Sequence, residues 1–99
     1  MRAMLKGLTK AAKQGQADAQ YILGKYYYNG DDGEQDYAQA VKWFTKAAEQ
    51  GNTDAQFRLG ICYYLGHGVK KDHEQAVRWF TKAANQNHTK AQLLLDINY

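Results

Sequence analysis

Histidine, cysteine and carboxylate side chains are the residues that could hold a metal ion or serve as a nucleophile, and their spacing here favours neither. His67, His73 and His88 show no i, i+4 pairing of the kind that places two zinc ligands on one helix face, and none has a cysteine at ligand spacing. Cys62 precedes His67 by five residues, but a helix end and Gly66 separate them, so a Cys–His nucleophile and base are not expected to meet. The run Asp31-Asp32-Gly33-Glu34-Gln35-Asp36 is acidic enough to suggest calcium. It lacks the alternating oxygen ligands, the glycine at the sixth position and the closing glutamate of an EF-hand loop, and reads as a polar loop ending in a helix cap. Gly66-His67-Gly68 follows a predicted helix rather than a strand, which makes it a turn and not a phosphate cradle. No serine-centred nucleophile elbow is present. The reading is therefore of a protein with no catalytic residue, no metal ligand and no cofactor.

The bulk properties limit the elements available to carry any site. Ninety-nine residues suit one domain with a modest core, and 44% hydrophobic with 23% charged residues is ordinary for a folded chain. Proline is absent, while alanine, glutamine, lysine and leucine are plentiful, so helix is the expected secondary structure. A net charge of +3 falls short of a nucleic-acid-binding patch, and a single cysteine excludes an internal disulfide framework. Lys6, Lys10 and Lys13 interrupt the N-terminus before an apolar run develops, so neither a signal peptide nor a membrane-inserted segment is predicted and a cytoplasmic location is expected.

Internal repetition decides the fold. Asp36-Tyr37-Ala38-Gln39-Ala40-Val41-Lys42-Trp43-Phe44-Thr45-Lys46-Ala47-Ala48 recurs 36 residues later as Asp72-His73-Glu74-Gln75-Ala76-Val77-Arg78-Trp79-Phe80-Thr81-Lys82-Ala83-Ala84. Gln14-Gly15-Gln16-Ala17-Asp18-Ala19-Gln20 returns at the same offset from Gln50, and again from Gln86. Each unit reads as two helices. Asp36 and Asp72 are N-caps with Gln39 and Gln75 three residues on, and Asn52 caps the next helix. Gly15 and Gly51, with Asn87 in the third copy, supply the left-handed residue that ends the second helix. Ala40, Val41, Phe44, Ala47 and Ala48 fall at helical spacing, as do Ala19, Leu23, Tyr27 and Ala55, Leu59, Tyr63 in the other helix type. Gly24 and Gly60 lie inside that helix at a cost of about 1 kcal/mol each relative to alanine, which a close helix–helix contact would offset.

The combination Ala-x-x-x-Leu-Gly-x-x-Tyr, Gly-x-Gly-Val-x-x-Asp and Ala-x-x-Trp-Phe-x-Lys-Ala-Ala-x-Gln-Gly resembles the Sel-one-like repeat family, a relative of the tetratricopeptide repeat. The second copy, Ala55 through Asn87, matches nearly throughout and departs at Asn87. In the first copy the loop Tyr28 to Asp36 has the right length but misplaced glycines. The resemblance implies an all-α superhelical solenoid of antiparallel helix pairs with a 36-residue period and about six helices. As one domain it divides into a half repeat at 1–15, repeats at 16–51 and 52–87, and a half repeat at 88–99. Gly7 takes the place of Trp43 and Trp79, which the family pattern makes core anchors along with Tyr27 and Tyr63. Asp96 takes the place of Gly24 and Gly60, and its carboxylate is expected to close a short array, a fragment of a longer array being the alternative.

Such folds bind partners on the side lined by the first helix of each pair, so the resemblance implies a binding stripe of Tyr21, Lys25, Tyr28 and Asn29, then Phe57, Ile61, Tyr64 and Leu65. Lys90, Leu93 and Ile97 extend it. Tyr21, Tyr28 and Tyr64 are not demanded by the packing pattern, and exposed aromatics commonly anchor interfaces. Sideways packing against neighbouring helices is the alternative for them. Lys6, Lys10, Lys42, Lys46, Arg78 and Lys82 form a basic ladder on the second-type helices, which ordinary solvation explains better than nucleic acid. The expected function is a non-catalytic adaptor, scaffold or regulatory module for a protein or peptide partner, with no small-molecule substrate, present as a monomer or a weak end-to-end oligomer. A small inhibitor or immunity protein that blocks a cognate toxin or enzyme is the second reading. Catalysis, suggested for some cysteine-rich relatives, is disfavoured here by the single cysteine.

Overall fold

The computed structural model describes the backbone of residues 2–31 and 33–98 and the side chains of 4–31 and 33–97; Asp32 of the acidic run and the two chain ends lie outside the described residues. Six helices follow one another: α1 (Arg2–Lys13), α2 (Ala17–Asn29), α3 (Tyr37–Glu49), α4 (Thr53–Leu65), α5 (His73–Asn85) and α6 (Thr89–Asn98). Each packs chiefly on its neighbours in the chain, and the α2–α3 and α4–α5 pairs are the most extensive contacts. The result measures 44 × 25 × 18 Å, a short solenoid. Among the described residues there is no strand, and no helix is long and apolar enough to cross a membrane.

Local signals set the boundaries. Asp36 accepts a hydrogen bond from the Gln39 backbone N–H at 3.0 Å and Asp72 from that of Gln75 at 3.1 Å, capping α3 and α5, while Asn52 accepts from the Ala55 N–H at 2.9 Å to cap α4. Gly15, Gly51 and Asn87 take φ of 95°, 91° and 68°, ending the second-type helices. The first copy's loop departs less than its glycines suggested. Gly30 ends α2 at φ 70° as Gly66 ends α4 at 74°, and the backbone N–H of Asp36 reaches the Tyr27 carbonyl as that of Asp72 reaches the Tyr63 carbonyl. Only the second loop glycine is displaced.

The core is a row of three clusters. Ala12, Ala19, Leu23 and Trp43 form the first; Ala40, Phe44, Ala47, Ala48, Ala55, Leu59 and Cys62 the second; Ala76, Phe80, Ala83 and Ala91 the third. Tyr27 and Tyr63 are half-buried rather than fully enclosed, because each bridges two successive clusters. The two tryptophans are also unequal. Trp43 is 5% exposed beside Leu5 and Leu8, whereas Trp79 is half-buried at the rim of the second cluster, where the place of Leu5 is taken by the shorter Val41.

A buried amide ladder runs beside these clusters. Gln20 and Gln56, 4% and 5% exposed, donate to the carbonyls of Ala12 and Ala48 at 3.0 and 3.3 Å. Each accepts in turn from the next repeat, Gln20 from Gln50 at 2.7 Å and Gln56 from Gln86 at 2.8 Å. The Ala12 and Ala48 carbonyls, which already accept the backbone N–H of Gly15 and Gly51 at 3.0 Å, thus take a second donor from the following helix.

Candidate binding face

The first-type helices α2, α4 and α6 come together where each begins. The residues before the starts of α4 and α6 tie neighbouring repeats together. Asn52 donates to Asp18 at 3.1 Å, and the ring Nε2 of His88 lies 3.4 Å from Asp54 at the equivalent place one repeat on. His88 also accepts from the Ala91 N–H through Nδ1 at 3.2 Å, so it is the cap of α6, with Nε2 left to carry the proton toward Asp54. Its ring stacks on Phe57 at 4.4 Å between centroids.

These contacts frame an open depression of about 320 Å³ lined by Tyr21 from α2, Asp54, Phe57 and Arg58 from α4, and His88, Thr89 and Lys90 from the start of α6. The predicted stripe is divided by the fold. Tyr21 and Phe57 meet in this depression, Tyr21 half-buried with its ring 6.1 Å from Phe44 and with Lys25 Nζ 4.9 Å above it. Ile61, Tyr64 and Leu65 border a separate apolar notch of about 170 Å³ with Phe80 and Leu94. Lys25 and Asn29 face a third groove beside α1, with Met4, Leu8, Ile22 and Tyr26. Leu93 and Ile97 are exposed on α6.

Tyr28 points elsewhere. Its hydroxyl shares a hydrogen bond of 2.9 Å with His67 Nδ1 in the loop of the next repeat, and its ring lies 5.0 Å from Tyr37 and 6.1 Å from Phe44. His67 in turn stacks flat on Tyr37 at 4.2 Å with the planes 2° apart. Burial raises the Tyr28 hydroxyl above its ordinary range, helped by Cys62 and Tyr37, with Arg58 opposing. His67 is thus joined to two tyrosines of the preceding repeat.

Sequence reading missed Arg58 and His88. The period carried a signal for the first. The column that reads Ile22 and Leu94 in α2 and α6 reads Arg58 in α4, a charge where the other copies are aliphatic.

Cys62 is fully buried in the second cluster, and burial pushes its thiol up to about 12, with Arg58 only partly opposing. An unfolded-chain thiol ionises near ~8.5, so the native state holds the proton the unfolded state loses. This contribution to stability is complete below pH ~8.5 and is lost as pH rises toward 12. Iodoacetamide at pH 8 is expected to label Cys62 only as fast as the chain unfolds; labelling at the rate of a free thiol would contradict its burial. Among the described residues, no three histidine, cysteine, aspartate or glutamate side chains gather where a metal ion could sit.

A family model described as Sel1 repeat matches residues 17–52 and 53–88. The chain belongs to the Sel1 repeat family. Similar solved structures are a Sel1 repeat protein from Oxalobacter formigenes (44% identity, TM-score 0.89) and a protective antigen of uropathogenic Escherichia coli strains displaying an SLR fold (43%, 0.88). The Helicobacter pylori cysteine rich protein B is a third (29%, 0.87). They cover 93%, 94% and 94% of this chain, which spans 27%, 20% and 70% of theirs. Comparison with curated proteins gives no match. Sel1 repeats generally mediate protein–protein interaction, and proteins built from them are typically non-catalytic scaffolds.

Proposed function

We propose that this Sel1 array is a non-catalytic module that holds a protein or peptide segment across α2, α4 and α6. The observation that carries the reading is the depression in which Tyr21 and Phe57 stand beside Arg58 and Lys90, with side chains drawn from all three first-type helices. Aromatic and guanidinium groups on rigid helices are the usual anchors of an interface, since they present large contact area at small entropic cost. The exposed Tyr64 and Leu65 continue the face toward the ends of these helices. The one thiol is buried and protonated, which removes the most nucleophilic group of the chain from any chemistry.

A photo-crosslinking residue placed at Tyr64, and separately at Lys82 on a second-type helix, tests the face in a lysate of the source cells. Partner capture from position 64 and not from 82 is expected. Capture confined to 82 would move the interface to the basic ladder and overturn the assignment.

A further inference from the structure

We infer that the depression between α2, α4 and α6 binds a single carboxylate group of a peptide, with Arg58 as its principal ligand. The inference rests on the peptide-binding reading above and names the chemistry of what is bound. Arg58 is only half exposed, yet among the described residues no ion pair or hydrogen bond holds its guanidinium. A guanidinium offers five donors in a planar fork, so one that no group of the chain engages can take a carboxylate from outside in a bidentate pair. The repeat did not require this residue, because the same column holds Ile22 and Leu94 in the neighbouring first-type helices. Its charge is therefore an addition to the fold and not a packing necessity.

The surroundings select the kind of acceptor. Arg58 and Lys90 bring two positive charges to the depression and Asp54 one negative, with His88 engaged as a cap and turned toward Asp54. The balance of one positive charge suits one carboxylate. A phosphate, with close to two charges, would meet Asp54 in the same small space. Asp54 is itself exposed enough to accept a backbone N–H from the same peptide, and Tyr21 and Phe57 give flat apolar walls for a neighbouring side chain. Carboxylate, amide and apolar side chain occur together at an Asp or Glu residue and at a chain end. Both sources carry the same chemistry.

The test uses a synthetic eight-residue peptide library prepared in C-terminal acid and C-terminal amide forms, screened against the intact chain. Wild-type protein is expected to select peptides with one carboxylate next to an apolar residue. Selection in the acid form alone identifies a chain end, and selection of Asp or Glu in the amide form identifies a side chain; either supports the inference. Replacing the selected carboxylate by its amide is expected to weaken binding about 10- to 100-fold, the worth of a charged hydrogen bond. Arg58→Leu, which installs the residue of the α6 column and so suits the fold, should bind acid and amide peptides alike, while Arg58→Lys should retain part of the preference. Selected peptides without a carboxylate, or an Arg58→Leu protein that still discriminates, would overturn the inference and leave the peptide-binding reading standing. Selection of no peptide at all would overturn both.

Discussion

Gly68→Ala is expected to destabilise the chain by about 2–4 kcal/mol, more than its position in an exposed loop would suggest. Two separate costs add. Gly68 has φ of 76°, where an alanine Cβ strains against the backbone by roughly 1–2 kcal/mol. A Cβ built there would also stand 2.3 Å from the Tyr37 carbonyl oxygen and 3.0 Å from Val41 Cγ2. The oxygen belongs to the first turn of α3 and cannot move without shifting the helix. The loop of the second repeat therefore has to withdraw, and with it the stack of His67 on Tyr37 and its bond to Tyr28. Gly33→Ala supplies the control, since Gly33 has φ of 97° but nothing within 4 Å of a built Cβ. Urea unfolding of both variants should give the conformational cost alone for Gly33 and a clearly larger loss for Gly68. Equal losses would mean that the loop does not dock on α3.

The same loop shows where legibility ended. The 36-residue period carries the helices, their caps and the glycine-to-phenylalanine register, because these depend on neighbours within one repeat or on positions that recur unchanged. The lock between repeats depends on positions that do not recur. His67 has Asp31 as its counterpart, so the imidazole that joins Tyr28 and Tyr37 has no repeated signature. The tyrosine stripe rests on the family resemblance, which fixes a face but not whether a neighbouring loop will cover it. His67 covers Tyr28 and leaves Tyr64 to α5, where the rings of His73 and Phe80 lie 6.1 and 6.5 Å away. Gln20 and Gln56 did recur, yet glutamine on a helix ordinarily faces water. Their burial follows from carbonyls that the preceding helix end presents, which spacing along one helix does not reveal.

The second large effect concerns Gly60, where two helix rules oppose each other. Alanine is the better helix former by about 1 kcal/mol, so Gly60→Ala would stabilise α4 if only the helix mattered. Contact reverses the sign. An added Cβ would lie 2.6 Å from both Cδ1 and Cε1 of Phe80 and 3.3 Å from the Ala76 carbonyl oxygen. Phe80 is 2% exposed in a cluster with Ala76, Ala83 and Ala91, against which Phe57 packs, so its ring has no free volume to enter. Overpacking of this kind costs about 1–3 kcal/mol, and a net destabilisation of roughly 1–2 kcal/mol is expected. Phe80→Leu relieves the crowding while forfeiting ring contacts worth on the order of 1–2 kcal/mol. If the glycine exists to admit the phenylalanine, the double variant Gly60→Ala, Phe80→Leu should be more stable than the sum of the singles predicts by about 1 kcal/mol or more, measured by urea unfolding as a double-mutant cycle. Additive losses would show that the two residues do not compete for one space. The corresponding pair Gly24 and Phe44, with a built Cβ 2.5 Å from Phe44 Cδ1, should behave in the same way. Agreement between the two cycles would show that the α2–α3 and α4–α5 contacts are one interface used twice, with the glycine column setting how closely each pair approaches.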